Sequence, residues 1–175
     1  MMIEPTHPIA DVAVGSVPAS DLAAGLPVPL VACTLDLPYD RPPDPLSANS
    51  RAHWRPRGAA TRMVRRDVEA LARAAGLHCV TGIRHVTVQL VWAPGDRRRR
   101  DEDNLYPLLK VCCDALARGP RRDWIGLELV PDDTPEHMTK LAPRIDPPPA
   151  PRGLRLEIVL DLDEPGRPDS ESELP

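Results

Sequence analysis

The 175-residue chain has no uninterrupted apolar run long enough for a bilayer and no basic segment ahead of its Ala/Val/Pro-rich beginning, so neither a membrane span nor a secretory signal is expected. The expectation is a soluble cytoplasmic protein that does not engage a membrane. Cysteine is sparse, and Cys33, Cys79, Cys112 and Cys113 show neither zinc-ligand spacing nor a disulfide framework. Four buried thiols are expected instead. Lysine is almost missing, with two residues against twenty arginines, as GC-rich coding produces. No internal repeat is evident, which excludes solenoids.

Proline, by contrast, is abundant at 23 residues, and much of it lies before Leu30 or between Pro143 and Pro151, where it argues against regular structure. The length suits one domain with a real core. We expect a loose segment over 1–28, one catalytic or binding domain over 29–161, and a disordered acidic tail over 162–175.

The net charge of -4 hides a strong asymmetry. Residues 1–50 carry -5, residues 51–122 carry +9 and residues 123–175 carry -8. Only the middle third has the electrostatic profile of a phosphate binder.

Apolar spacing places a strand over Leu30 to Leu37 and a helix over Arg57 to Ala75, with Ala60, Val64, Val68, Leu71 and Ala75 inward and Gly76 as its stop. Arg62, Arg66 and Arg73 share another face of that helix. Alternation of Val86, Val88, Leu90 and Trp92 predicts a half-buried strand over Arg84 to Trp92. A second helix fits Asn104 to Arg118, with Leu105, Leu109, Cys112 and Leu116 on one face, Asp103 as N-cap and Pro107 tolerated in the first turn. A weak strand near His137 to Ala142 and a clear one over Arg152 to Asp161 complete the order. The fold class expected is α+β, a small mixed sheet with two main helices.

The chemistry concentrates in Asp96-Arg97-Arg98-Arg99-Arg100-Asp101-Glu102-Asp103-Asn104, where four arginines run into two carboxylates spaced i, i+2. In extended chain that spacing turns Asp101 and Asp103 to one side. Two such charges about 6 Å apart repel by roughly 2–3 kcal/mol at an effective dielectric near 20, which a hard divalent cation relieves. Carboxylate oxygens suit Mg²⁺, with Mn²⁺ as a substitute. Asp132 and Asp133, after Pro131, are placed to return to the same site. A metal site beside basic surface is what phosphodiester hydrolysis requires. An EF-hand starting at Asp101 is excluded, because Leu105, Tyr106 and Cys112 occupy its fifth, sixth and twelfth positions.

Taken in order, Arg97 to Leu105, then Lys110, then Asp114-Ala115-Leu116, then Asp132-Asp133, the string resembles the signature of the RusA-like endodeoxyribonucleases, the Holliday-junction resolvases. The resemblance follows the element order from Leu30 to Asp161 and is close over 97–133. It implies an intertwined homodimer that uses Mg²⁺ to resolve four-way DNA junctions in recombination and repair, by two symmetric nicks with ligatable ends. It further implies Asp101, Asp103 and Asp133 as metal ligands, with Asp132 and Asp123 competing for the third place. Lys110 would be the essential lysine, acting on the scissile phosphate or the attacking water; a plain i, i+4 pair with Asp114 is the alternative. Leu105-Tyr106-Pro107 lengthens the approach to Lys110, and Arg118 to Val130 lengthens the approach to Asp132, relative to the shortest family members.

Arg51 and His53, in Ser47 to Trp54, and Arg62 and Arg66 on the first helix join Arg97, Arg98, Arg99 and Arg100 as candidate DNA-binding residues. Trp54 is expected to anchor its loop to the core, with base stacking as the alternative. A metal-dependent nuclease for other branched or duplex DNA, and a non-catalytic DNA-binding protein, are the competing functions.

Overall fold

The computed structural model describes residues 30–118 and 126–163. The expected loose segment, nearly all of the expected tail, and Asp123 lie outside the described residues. Five strands, β1 (Leu30–Leu37), β2 (Ile83–Ala93), β3 (Met138–Lys140), β4 (Arg144–Ile145) and β5 (Gly153–Leu162), form one sheet in the order β1-β5-β2-β3, with β4 also paired to β2. β1 and β2 flank β5 in antiparallel pairing, whereas β3 and β4 run parallel to β2. Two helices, α1 (Trp54–Ala74) and α2 (Tyr106–Leu116), accompany the sheet. The α+β class with a small mixed sheet is as the sequence predicts. Among the described residues no helix is long and apolar enough to cross a membrane.

Register explains the single core. Leu35 faces Leu156, which faces Leu90; Val31, Leu160, Val86 and Met138 form a second such row. All but Val31 are buried. Period-two alternation sends these side chains toward the helices and leaves Thr34, Glu157 and Gln89 on the opposite face. Each fully buried leucine contributes about 2 kcal/mol.

Helix α1 buries Ala60, Val64, Val68 and Ala72, a strict i, i+4 stripe, so Ala72 replaces the expected Leu71 and Ala75, which are half-buried and exposed. It begins at Trp54 rather than Arg57, because a proline at position 56 sits in the first turn, where its missing N–H costs nothing. Gly76 ends it in the left-handed region at φ 76°.

Helix α2 starts later than expected. A 3-10 turn, Glu102–Leu105, precedes it, and the capping residue is Asp101, not Asp103. Seven of its eleven residues are buried, and Tyr106, Lys110 and Asp114, at i, i+4 and i+8, make its outward stripe. Parallel pairing of β2 with β3 requires a crossover, and α2 supplies it.

Other expectations change. The Pro143–Pro151 segment, read as loop, contributes β4, because Arg144 and Ile145 find open backbone groups beside Val91 and Trp92. Of the four thiols, Cys112 and Cys113 are buried, Cys33 is half-buried and Cys79 is exposed beside His78. Burial pushes the Cys113 thiol up to about 12, so it is unreactive at neutral pH.

Candidate functional site

Strand β2 ends at Ala93, and Gly95, at φ 76°, turns the chain out of the sheet. Asp96 organises the next four residues: Oδ1 accepts the Arg98 N–H at 2.9 Å, and the Arg100 guanidinium donates to both oxygens at 2.6 and 2.9 Å. Hydrogen bonding from Arg100 holds the Asp96 carboxyl well below the usual carboxylate range. Arg100 also lies 4.9 Å from the Trp92 ring centroid, and Trp92 donates to the Asp40 carbonyl at 3.0 Å. Arg100 is therefore the pin of the arginine loop, whereas Arg97, Arg98 and Arg99 are exposed.

The loop ends on Asp101, whose backbone is extended at φ -103° and whose Oδ1 accepts the Asp103 N–H at 3.1 Å. The i, i+2 spacing thus makes a helix cap, not the extended two-carboxylate face expected. Both side chains remain exposed. Glu102 between them turns to the sheet edge and accepts the Ile145 N–H at 3.3 Å. The Asn104 carbonyl accepts the Ala48 N–H at 3.3 Å, drawing the Ser47–Ser50 approach against this turn. An open groove of about 650 Å³ is lined by Asp101 and Asn104 together with Arg99, Arg100, Asp40 and Asp44.

A second cluster forms where α2 meets β3. Lys110 donates to Asp114 Oδ1 at 2.7 Å and forms a close ion pair with Asp133. Lys140, on β3, donates to the same Asp133 oxygen at 2.6 Å, and Arg65 reaches Asp114 at 2.6 Å. Charges alternate along this chain from α1 to β3. The expected alternative for Lys110, the i, i+4 pair with Asp114, is present, and a pair with Asp133 that was not expected accompanies it. Asp132 turns back on its own loop, its Oδ1 accepting the Asp133 N–H at 2.8 Å. Lys140 and the Arg65 link were missed, and the only signal was that the chain has two lysines in all.

Burial alone would lower the Lys110 ammonium, but its hydrogen bonds to Asp114 and Asp133 outweigh this and raise it above its ordinary value. Burial likewise opposes the Asp133 charge, and the two lysines reverse that and lower its carboxyl. The stability due to Asp133 is thus complete above its unfolded value near 3.8 and lost as pH falls through the lower folded value. That of Lys110 is complete below 10.5 and lost as pH rises through the higher folded value. We expect chemical denaturation across pH to show a plateau between these limits and Asp133→Asn to flatten the acid limb. An identical acid limb in the variant would contradict the pairing.

Arg51, His53, Arg62 and Arg66 are all exposed. Arg73 pairs with Glu69 at 2.9 Å and so differs from the other two arginines of its expected face. Trp54 is 68% exposed, which overturns its expected role as a core anchor. A helix starting at residue 54 places the ring in a first turn whose residues are all exposed.

Among the described residues no group of three or more His, Cys, Asp or Glu side chains is gathered for a metal ion. The donor chemistry of Asp101 and Asp103 does fit Mg²⁺, which takes one or two carboxylates and completes its octahedron with water. Compared with protein-family models and with curated proteins, the chain matches none. Fold and site together define an α+β domain that carries an exposed arginine loop, a capped carboxylate turn and an ion-paired lysine cluster.

Proposed function

We propose that the chain is a Mg²⁺-dependent endodeoxyribonuclease that resolves four-way DNA junctions, a RusA-like resolvase acting as a homodimer. The observation that carries this reading is that Arg99, Asp101 and Asn104 line one open groove, so cations for a phosphate stand next to oxygen donors for a metal. Asp101 and Asp103 would hold the ion, which supplies an activated water and stabilises charge on the phosphate. Mn²⁺ offers similar oxygen coordination.

The remaining steps belong to the protein. Arg97, Arg98 and Arg99 bind the flanking backbone, and Arg100 keeps their loop in place through Asp96. Lys110 is an ammonium at neutral pH, since its pKa is raised. It therefore serves as a cation and proton donor toward phosphate oxygen, not as the base that takes a proton from water. Asp133 positions Lys110; as a third ligand it would first have to release its ammonium partners. Two copies related by a two-fold axis match the symmetry of a four-way junction.

A labelled four-way junction assayed beside its matching linear duplex, each with Mg²⁺ and with EDTA, tests the substrate. Metal-dependent cutting of the junction in clear preference to the duplex is expected. Equal cutting of both would leave a nuclease but remove the resolvase.

A further inference from the structure

We propose that Trp54 and the arginines around it form a stacking platform that captures an unpaired DNA base, separate from the carboxylate turn. The inference rests on the reading of DNA as the partner, but not on metal or hydrolysis.

Four observations carry it. Trp54 is the most exposed large hydrophobic side chain described, at 68%. The Arg55 guanidinium lies 5.2 Å from its ring centroid and the His53 ring 5.6 Å from it, tilted by 44°. A cation beside the indole orders the ring and adds cation–π attraction for a stacked partner. Between Asp44 and Asp67 there is no carboxylate at all, while the interval holds six arginines and His53.

Five of those arginines, Arg51, Arg55, Arg57, Arg62 and Arg66, are exposed, and among the described residues only Arg65 is turned to a carboxylate, Asp114. Arg55, Arg62 and Arg66 fall at i, i+7 and i+11, along one stripe of α1 about 16 Å long. That length is enough to follow a few successive phosphates of one strand. An apolar protein partner would also cover an exposed tryptophan, but a stripe of guanidinium groups with no carboxylate partner among the described residues selects a polyanion. The indole then offers every base a sequence-independent π face. An open strand or a branch point supplies such a base; intact duplex does not.

The test uses the full chain in EDTA, with a labelled oligothymidylate and a fully paired duplex as probes. Trp54→Ala is expected to weaken oligothymidylate binding about tenfold and to leave duplex binding unchanged, with Trp54→Phe keeping most of the affinity. Because the side chain is exposed, thermal unfolding of both variants should match the parent. Wild-type-like binding of the oligothymidylate by Trp54→Ala overturns the platform, as does equal weakening on both probes or failure of the parent to bind. No cleavage occurs in EDTA, so loss of the nuclease reading and loss of this one are seen in separate assays.

Discussion

Asp101→Asn is expected to lower Mg²⁺-dependent cleavage by about 10²–10⁴-fold while leaving DNA binding in EDTA within about twofold. The size follows from losing one anionic metal ligand, since the ion's stabilisation of the transition state is worth several kcal/mol and each 1.36 kcal/mol is about tenfold. The choice of asparagine matters. Asp101 caps the 3-10 turn by accepting the Asp103 N–H, and an asparagine amide oxygen caps about as well as a carboxylate. The turn that holds Asp103 and ties Glu102 to Ile145 should therefore survive. Single-turnover cleavage, with binding by anisotropy and unfolding by circular dichroism, separates chemistry from folding. Unchanged cleavage would mean that Asp101 only caps a helix.

Lys110→Met carries the second large effect, a loss of about 10²–10³ in cleavage rate, the usual cost of removing one preorganised group from a developing charge. Stability should change by about 1 kcal/mol or less, because the network is redundant and partly exposed. Without Lys110, Asp114 keeps Arg65 and Asp133 keeps Lys140, so neither carboxylate is left unpaired. A structural lysine would give the opposite pattern, a lowered unfolding midpoint with cleavage within about threefold. Lys110→Arg is a useful companion. It preserves the charge but spreads it over a planar fork, so partial activity is expected if a point charge on phosphate is what matters.

The parts of the fold that the sequence made plain are those with an internal period. Strands β1 and β5 alternate in burial, β2 does so as far as Leu90 before Val91 and Ala93 are buried as well, and their observed limits lie within a residue or so of the expected ones. Helix α1 was visible from Ala60, Val64 and Val68. What was not visible depends on neighbours distant in the chain. Strand β4 is two residues long and exists because β2 extends past β3 and leaves backbone groups to pair. The 3-10 turn before α2 shares its residue types with a helix start, and its i, i+3 backbone bonds, from the Asn104 N–H to the Asp101 carbonyl and from the Tyr106 N–H to the Asp103 carbonyl, distinguish it.

The candidate site divides in the same way. The order of arginines, carboxylates and lysine is a local pattern and was legible. The Lys110–Asp114 pair was legible from i, i+4 spacing, whereas the Lys110–Asp133 pair was not, and the arrival of Lys140 at the same oxygen follows from the parallel pairing of β3 with β2. Asp96 binding Arg100 is an i, i+4 pair outside a helix, which spacing rules for helices do not anticipate. Trp54 was misjudged because its exposure depends on where α1 begins.

The central claim is metal-dependent, paired cutting of a junction by this carboxylate turn. Mapping the cuts on all four labelled strands of a junction, with Mg²⁺ and with EDTA, and then challenging the products with DNA ligase tests it most directly. Nicks in two opposed strands at symmetric positions, only with the metal, and nicked duplexes that ligase seals are the expected result. Cuts that persist in EDTA, or no cuts with Mg²⁺, would contradict it.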